Sequence, residues 1–374
     1  MSSTHRILRA SAATAAAAAV AALAVPPAAQ ASSPPSFIDH FHKIRTIAST
    51  VPRNGDVNPY GVAVVRRSIG RLVKGDVLVS NFNNSKNLQG TGTTIVQISP
   101  GGHRTVFAHI ARSTLPGRCP GGVGLTTALD VLPGGWVVVG SLPTRNGNAK
   151  TAKAGCLIVV SNQGRAAETL SGHGINGPWD MTAISRGAAA ELFVTNVLNG
   201  TVAANGMVVH RGTVLRLILK LRGSSPPVLV HRTVIGSGFG TRTDPAALVI
   251  GPTGVGLSRG TLFVADSLGS RITAIPNAVS RRHSAGTGHV VTSGGRLNTP
   301  LGLIIAPNGN VLTVNGGDGL LVETTPAGMQ IAHRRLDKSG SPPGAGALFG
   351  LALKPRHRGI YYVDDAVNTL RLLH

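Results

Sequence analysis

Three kinds of residue are scarce in this chain. Aromatics make up 3% of its 374 residues, acids number 14 and cysteines 2. So few aromatics cannot furnish the platforms on which bases stack, which excludes specific nucleic-acid binding. Cys119 and Cys156 are not part of any CxxC, so a cysteine-based zinc cluster is excluded. The 13 histidines include no HExxH motif. Beyond residue 31 no apolar run reaches the roughly 20 residues of a spanning helix, so no transmembrane segment is expected there. Helical periodicity is scarce as well, which leaves an all-β fold.

What is present begins with an export signal. Arg6 and Arg9 precede an apolar run of 15 residues, Ser11 to Val25. Pro26 and Pro27 stop it, and Ala29-Gln30-Ala31 is an A-x-A peptidase site. Cleavage after Ala31 is therefore expected. Residues 1–31 are the signal, and 32–374 form one domain, periplasmic or secreted. That compartment permits a disulfide, and Cys119 with Cys156 is the candidate pair. The 36 Lys and Arg give a formal charge of +22, lowered by two when Arg6 and Arg9 leave. The charge is scattered through short clusters such as Arg66-Arg67 and Arg281-Arg282. It makes a solvated basic surface, or one loosely attracted to anionic envelope polymers. A monomer is expected.

Glycine is abundant, with 49 residues, yet the hydrophobic fraction is 42%, so the chain turns often and still buries a core. Asn-Gly pairs suit tight hairpins. One block, 299–315, runs as an apolar strand, an Asn-Gly turn and a second apolar strand ending in Asn315. The pattern recurs six times, with second strands ending at 81, 140, 196, 266, 315 and 364. Inner strands are expected to start near 59, 123, 178, 245, 300 and 347. Two more strand candidates follow in each unit, and four strands per unit is the propeller count. The last unit is one strand short. His42 to Ala48 can supply it, closing a six-bladed ring and pairing its exposed edges.

The block 299–315 and the stretch Leu262-Phe-Val-Ala-Asp-Ser-Leu-Gly-Ser-Arg-Ile272 resemble the NHL repeat. That resemblance implies a propeller. It leaves the activity open, since such propellers include protein and RNA binders, lyases and ring-opening hydrolases.

Propellers bind ligands at one mouth of the channel. The second-strand ends place Asn81, Asn196, Asp266, Asn315 and Asp364 there, with Gly140-Ser141 in the second unit. Asp180 is the one charged residue among the third positions of the inner strands, taken as Gly61, Thr126, Asp180, Ala247, Gly302 and Gly350. His173 and Trp179 are accessory candidates. Such oxygen donors suit Ca²⁺. The set is similar to that of gluconolactonase-type propellers, where the resemblance implies a metal that polarises a lactone, but no Glu matches near the first strand. The same Asn and Asp residues could instead cap strand ends. Two functions follow. One is a binding module for a protein or small-molecule ligand, and the other a Ca²⁺-dependent hydrolase or lyase of a small lactone or ester.

Overall fold

Short runs of Val, Leu and Ile, cut by glycine-rich turns, form strands because branched side chains pack well on a pleated surface. The computed structural model describes residues 1–2 and 35–374. Residues 3–31 of the expected signal lie outside the described residues. Six antiparallel sheets follow one another along residues 35–374, the blades of a β-propeller. Their inner strands are Val57–Val64, Leu125–Leu132, Pro178–Arg186, Pro252–Ser258, Pro300–Ile305 and Leu348–Leu353. Consecutive inner strands touch around the ring, and the last touches the first. The sixth blade is closed as expected: Ile44–Ser49 pairs antiparallel with Thr369–Leu373, matching Ile44 to Leu373. Cys119 and Cys156 are bridged, with Cα atoms 5.4 Å apart.

One boundary differs from expectation. The fourth blade begins at Pro252, not near 245. Leu248–Ile250 instead pairs with Arg242–Asp244 and adds a fifth strand to blade 3. The pairing of Pro252 with Asp266 sets the register of blade 4, so its third position is Gly254 rather than Ala247. In blade 2, Leu125 pairs with Ser141, and its inner strand carries two extra residues before the next pair.

The core lies between blades. Leu78 and Ile95 of blade 1 pack with Val137, Val139 and Ile158 of blade 2. Phe193 and Val214 of blade 3 meet Val255 and Leu262 of blade 4. Val79 and Val96 meet Tyr361 and Leu370 across the seam.

At the centre the inner strands come very close. Each bulges near its start; in blades 5 and 6 the shift falls between Pro300 and Leu303 and between Leu348 and Leu351. A Cβ added to Gly302 would lie 2.1 Å from the Phe349 carbonyl oxygen, and one on Gly350 would lie 2.1 Å from that of Tyr60. Backbone thus packs on backbone, and a side chain is excluded.

Residues ahead of the closing strand are held separately. Glu323 is fully buried in blade 5. It accepts from Ser36 Oγ, Phe37 N and Ile38 N, each at 2.9 Å, and from Asn308 and Asn310 Nδ2 at 3.1 and 2.6 Å. Burial pushes its pKa up, but the donors from Asn310, Phe37, Ile38 and Asn308 outweigh this and hold it below the usual value. The clasp seats Ile38 and Phe41 against Leu321 and Tyr362.

Two outcomes test this account. Gly302→Ala should destabilise the protein by more than about 3 kcal/mol in urea unfolding, whereas Gly101→Ala, where a Cβ would meet only Ser99 Oγ at 3.8 Å, should be near neutral. Glu323→Gln should cost about 2 kcal/mol near neutral pH. The folded pKa is depressed, so this stability is present above the unfolded value and lost as pH falls. Native and variant unfolding curves should converge as the pH falls below the ordinary glutamate range.

Candidate functional site

Strands alternate in direction within a blade, so the inner strands start and the second strands end on one face, here the upper face. The second-strand ends were the predicted metal candidates. All are buried, and each is engaged within its own blade or its connecting loop. Asn81 donates to Thr50 O at 3.1 Å and Thr94 Oγ1 at 3.2 Å. Asn196 Oδ1 accepts from Asn176 N at 3.1 Å. Asn315 donates to Arg296 O at 2.7 Å and Asp318 Oδ1 at 3.0 Å. In blade 2, Ser141 Oγ bonds Gly122 O and Gly124 N at 3.0 Å each. Thr50, Asn176, Arg296 and Gly122 all lie in the loops that carry the chain from one blade to the next. These loops have no ladder of their own, so a polar strand end supplies their backbone partners. Asp266 and Asp364 take arginines instead: Arg271 Nε at 2.8 Å and Arg371 Nη1 at 3.0 Å. Burial raises the pKa of Asp364 to about 6 despite Arg371, with Asp337 adding to the rise.

The mouth itself is filled. Tyr60, Trp179 and Phe349 hold equivalent places, one residue after the pair that precedes the inner strand's bulge. The Tyr60 ring stacks on Phe349 at 4.0 Å and Phe82 at 4.5 Å, and Trp179 lies 5.8 Å from Tyr60. Leu142, Val197, Leu248 and Val249 complete the cluster. Trp179 is therefore part of a plug. His173 is exposed in the loop between blades 2 and 3, where its carbonyl accepts from Arg232 on the outer side of blade 3. It does not join Asp180.

Asp180 takes the place that Gly254, Gly302 and Gly350 hold in later blades. Its Oδ2 accepts from Val255 N of blade 4 at 3.2 Å. Asp130, which sequence reasoning missed, makes the matching link from blade 2, accepting from Ala183 N of blade 3 at 3.1 Å. Burial raises the Asp180 pKa to about 7; N–H donors from Met181 and Val255 oppose this, and Asp130 adds to it. Burial raises Asp130 too, against the Val131 N–H, Arg66 and the Ala183 N–H. Among the described residues no three His, Cys, Asp or Glu side chains gather as a metal-holding group. Ca²⁺ takes six to eight oxygens; at the strand ends Asn81 Oδ1, Asn315 Oδ1 and Asp266 Oδ1 are buried without a hydrogen-bond partner, but no acidic cluster gathers them into one site among the described residues. Ser258 of Gly256-Leu-Ser-Arg-Gly260 ends the blade 4 inner strand in a β-hairpin, without the helix of a nucleophile elbow.

Open space lies beside the plug. One upper-face cleft of about 610 Å³ is lined by amides, including Asn87, Gln89, Asn146, Asn148 and Asn205. A second, about 510 Å³, is lined by Arg112, Arg145, Lys150 and Lys153. Lys150 borders both. The plug had a sequence signal: three of the rare aromatics share one repeat position. The clefts had none, because their walls come from loops of different blades.

The raised pKa of Asp180 has a testable sign. Its protonated form is favoured on folding, so the contribution is full below the unfolded value and lost as pH rises through about 7. Stability of the native protein should fall between a pH of about 4 and about 7. Asp180→Asn should flatten that slope in urea unfolding.

No family model matches the sequence, and no curated protein is significantly similar to it in sequence. Among solved structures, the chain is similar to a gluconolactonase of Xanthomonas campestris, with a TM-score of 0.53 and 14% identity over 88% of each chain. It is also similar to regucalcin of Agrobacterium tumefaciens, a calcium-binding protein, with a TM-score of 0.52 and 12% identity over 87% of this chain and 94% of that one. At these identities the likeness establishes the fold, a six-bladed β-propeller.

Proposed function

We propose that this propeller is an exported binding module, acting in the periplasm or outside the cell, that takes its ligand in the loops of the upper face. The observation that carries the reading is the plug: Tyr60, Trp179 and Phe349 occupy the mouth where a channel ligand would enter. Recognition is thereby moved outward to the amide-lined cleft. Asn and Gln each carry donors and an acceptor, a set that matches hydroxyl groups, with Leu88, Ala149 and Pro245 as apolar neighbours. A neutral polyhydroxylated ligand such as an oligosaccharide fits that chemistry. The repeat is read as NHL-like, and the export signal and cleavage after Ala31 belong to the same proposal.

A second reading is hydrolysis or elimination at a small lactone or ester. Asp180 favours it, since a desolvated carboxyl pushed up to about 7, with the raised Asp130 adding to the rise, suits proton transfer. The fold likeness to a gluconolactonase is compatible with it.

One experiment separates the two. The purified protein is titrated with neutral oligosaccharides and followed by hydrogen exchange, then assayed on a lactone panel with and without Ca²⁺. The binding reading expects protection confined to residues 84–91, 144–151, 200–208 and 243–248, with no turnover. Lactone opening that is abolished in Asp180→Asn would overturn it in favour of the enzyme.

A further inference from the structure

The second upper-face cleft gathers four cations, Arg112, Arg145, Lys150 and Lys153, around about 510 Å³ of space. None of the four pairs with a carboxylate among the described residues, where the ion pairs involve Arg242, Arg271 and Arg371. Among the described residues their side-chain nitrogens make no hydrogen bond either, although other arginines of this chain, such as Arg71 and Arg216, are bound to backbone carbonyls. Four like charges in one concavity repel each other and focus a positive potential into it. Among the described residues no carboxylate lies within ion-pair distance to offset it.

The walls are nevertheless built. Residues 144–151 are held by their own polar groups: Gly147 N donates to Thr144 Oγ1 at 2.8 Å, Lys150 N to Asn148 Oδ1 at 2.9 Å, and Thr151 Oγ1 to Asn146 Oδ1 at 2.8 Å. Thr144 N is anchored to Gly90 O at 2.9 Å, and Lys153 N to Pro143 O at 3.1 Å. The facing wall, Pro120 and Gly121, follows Cys119 directly and is pinned through the Cys119–Cys156 bridge and the bond from Gly121 N to Ala154 O at 2.8 Å. Cations on a braced backbone lose less freedom when a ligand binds, which strengthens binding.

We infer that this cleft binds a multivalent oxyanion, a phosphate- or carboxylate-bearing group. Its volume falls within the range of small-molecule sites. Because Lys150 borders both clefts, the anionic group belongs to the same ligand whose hydroxyls the amide-lined cleft receives. The inference thus rests on the upper-face binding reading and adds a charge to its ligand.

Calorimetric titration of the purified protein with tripolyphosphate, and separately with citrate, tests it at low and high salt. The expected result is one-site binding, weakened roughly tenfold or more in Arg145→Ser/Lys150→Ser. The charge-matched pair Arg356→Ser/Arg358→Ser, exposed on a lower-face loop, should leave it unchanged. Preference for tripolyphosphate assigns the group as phosphate, and preference for citrate as carboxylate. Equal weakening in both double variants, or no binding heat from either anion, overturns the inference. Neutral oligosaccharide binding that survives such a failure would leave the upper-face reading standing, so the two can fail separately.

Discussion

The ring depends on how closely its six inner strands approach one another. At Gly302 and Gly350 the backbone of one blade lies where a Cβ would meet the next blade's carbonyl oxygen. No side chain can be accommodated without moving a strand. That contact sets the radius of the ring at the upper end, and the bulge at the start of each inner strand supplies the bend it needs. Where the glycine is replaced, as by Asp180, the carboxylate reaches the neighbouring blade's N–H and does the joining itself. Asp130, two residues further along its inner strand, makes the same kind of link one blade earlier. Both acids are held in the interior at the cost of raised pKa values, because the edge N–H groups they meet would otherwise lack a partner.

A second constraint follows from ring closure. Each chain segment that crosses from the outer edge of one blade to the inner edge of the next has exposed backbone groups. The polar strand ends satisfy several of them: Asn81 on Thr50, Asn315 on Arg296, Ser141 on Gly122 and Gly124. Residues that read as a ligand set in the repeat are thus used as joints. The two Asp ends, 266 and 364, are matched by arginines on the adjacent third strand for the same reason of buried charge. With the mouth closed by Tyr60, Trp179 and Phe349, the open space on this face lies among the loops of blades 1 to 3.

Much of the architecture was legible. Six units, their second-strand ends and the closing role of the segment after His42 follow from apolar runs and turn residues, because strand and turn preferences are local. The fourth blade was misplaced for an equally physical reason. Pro245 and Pro252 both precede short apolar runs, and only the pairing of Pro252 with Asp266 chooses between them. Leu248–Ile250, left over, extends the sheet of blade 3.

By itself the sequence determined the number of blades, the seam, and the pairing of its two cysteines as a candidate, since each rests on patterns within a few dozen residues. The tertiary structure decided what each polar residue does. Whether Asn81 faces a ligand or Thr50, whether Trp179 lines a channel or plugs it, and whether Arg112 meets Arg145 depends on distances between residues far apart in the chain. Those distances exist only once the ring has closed.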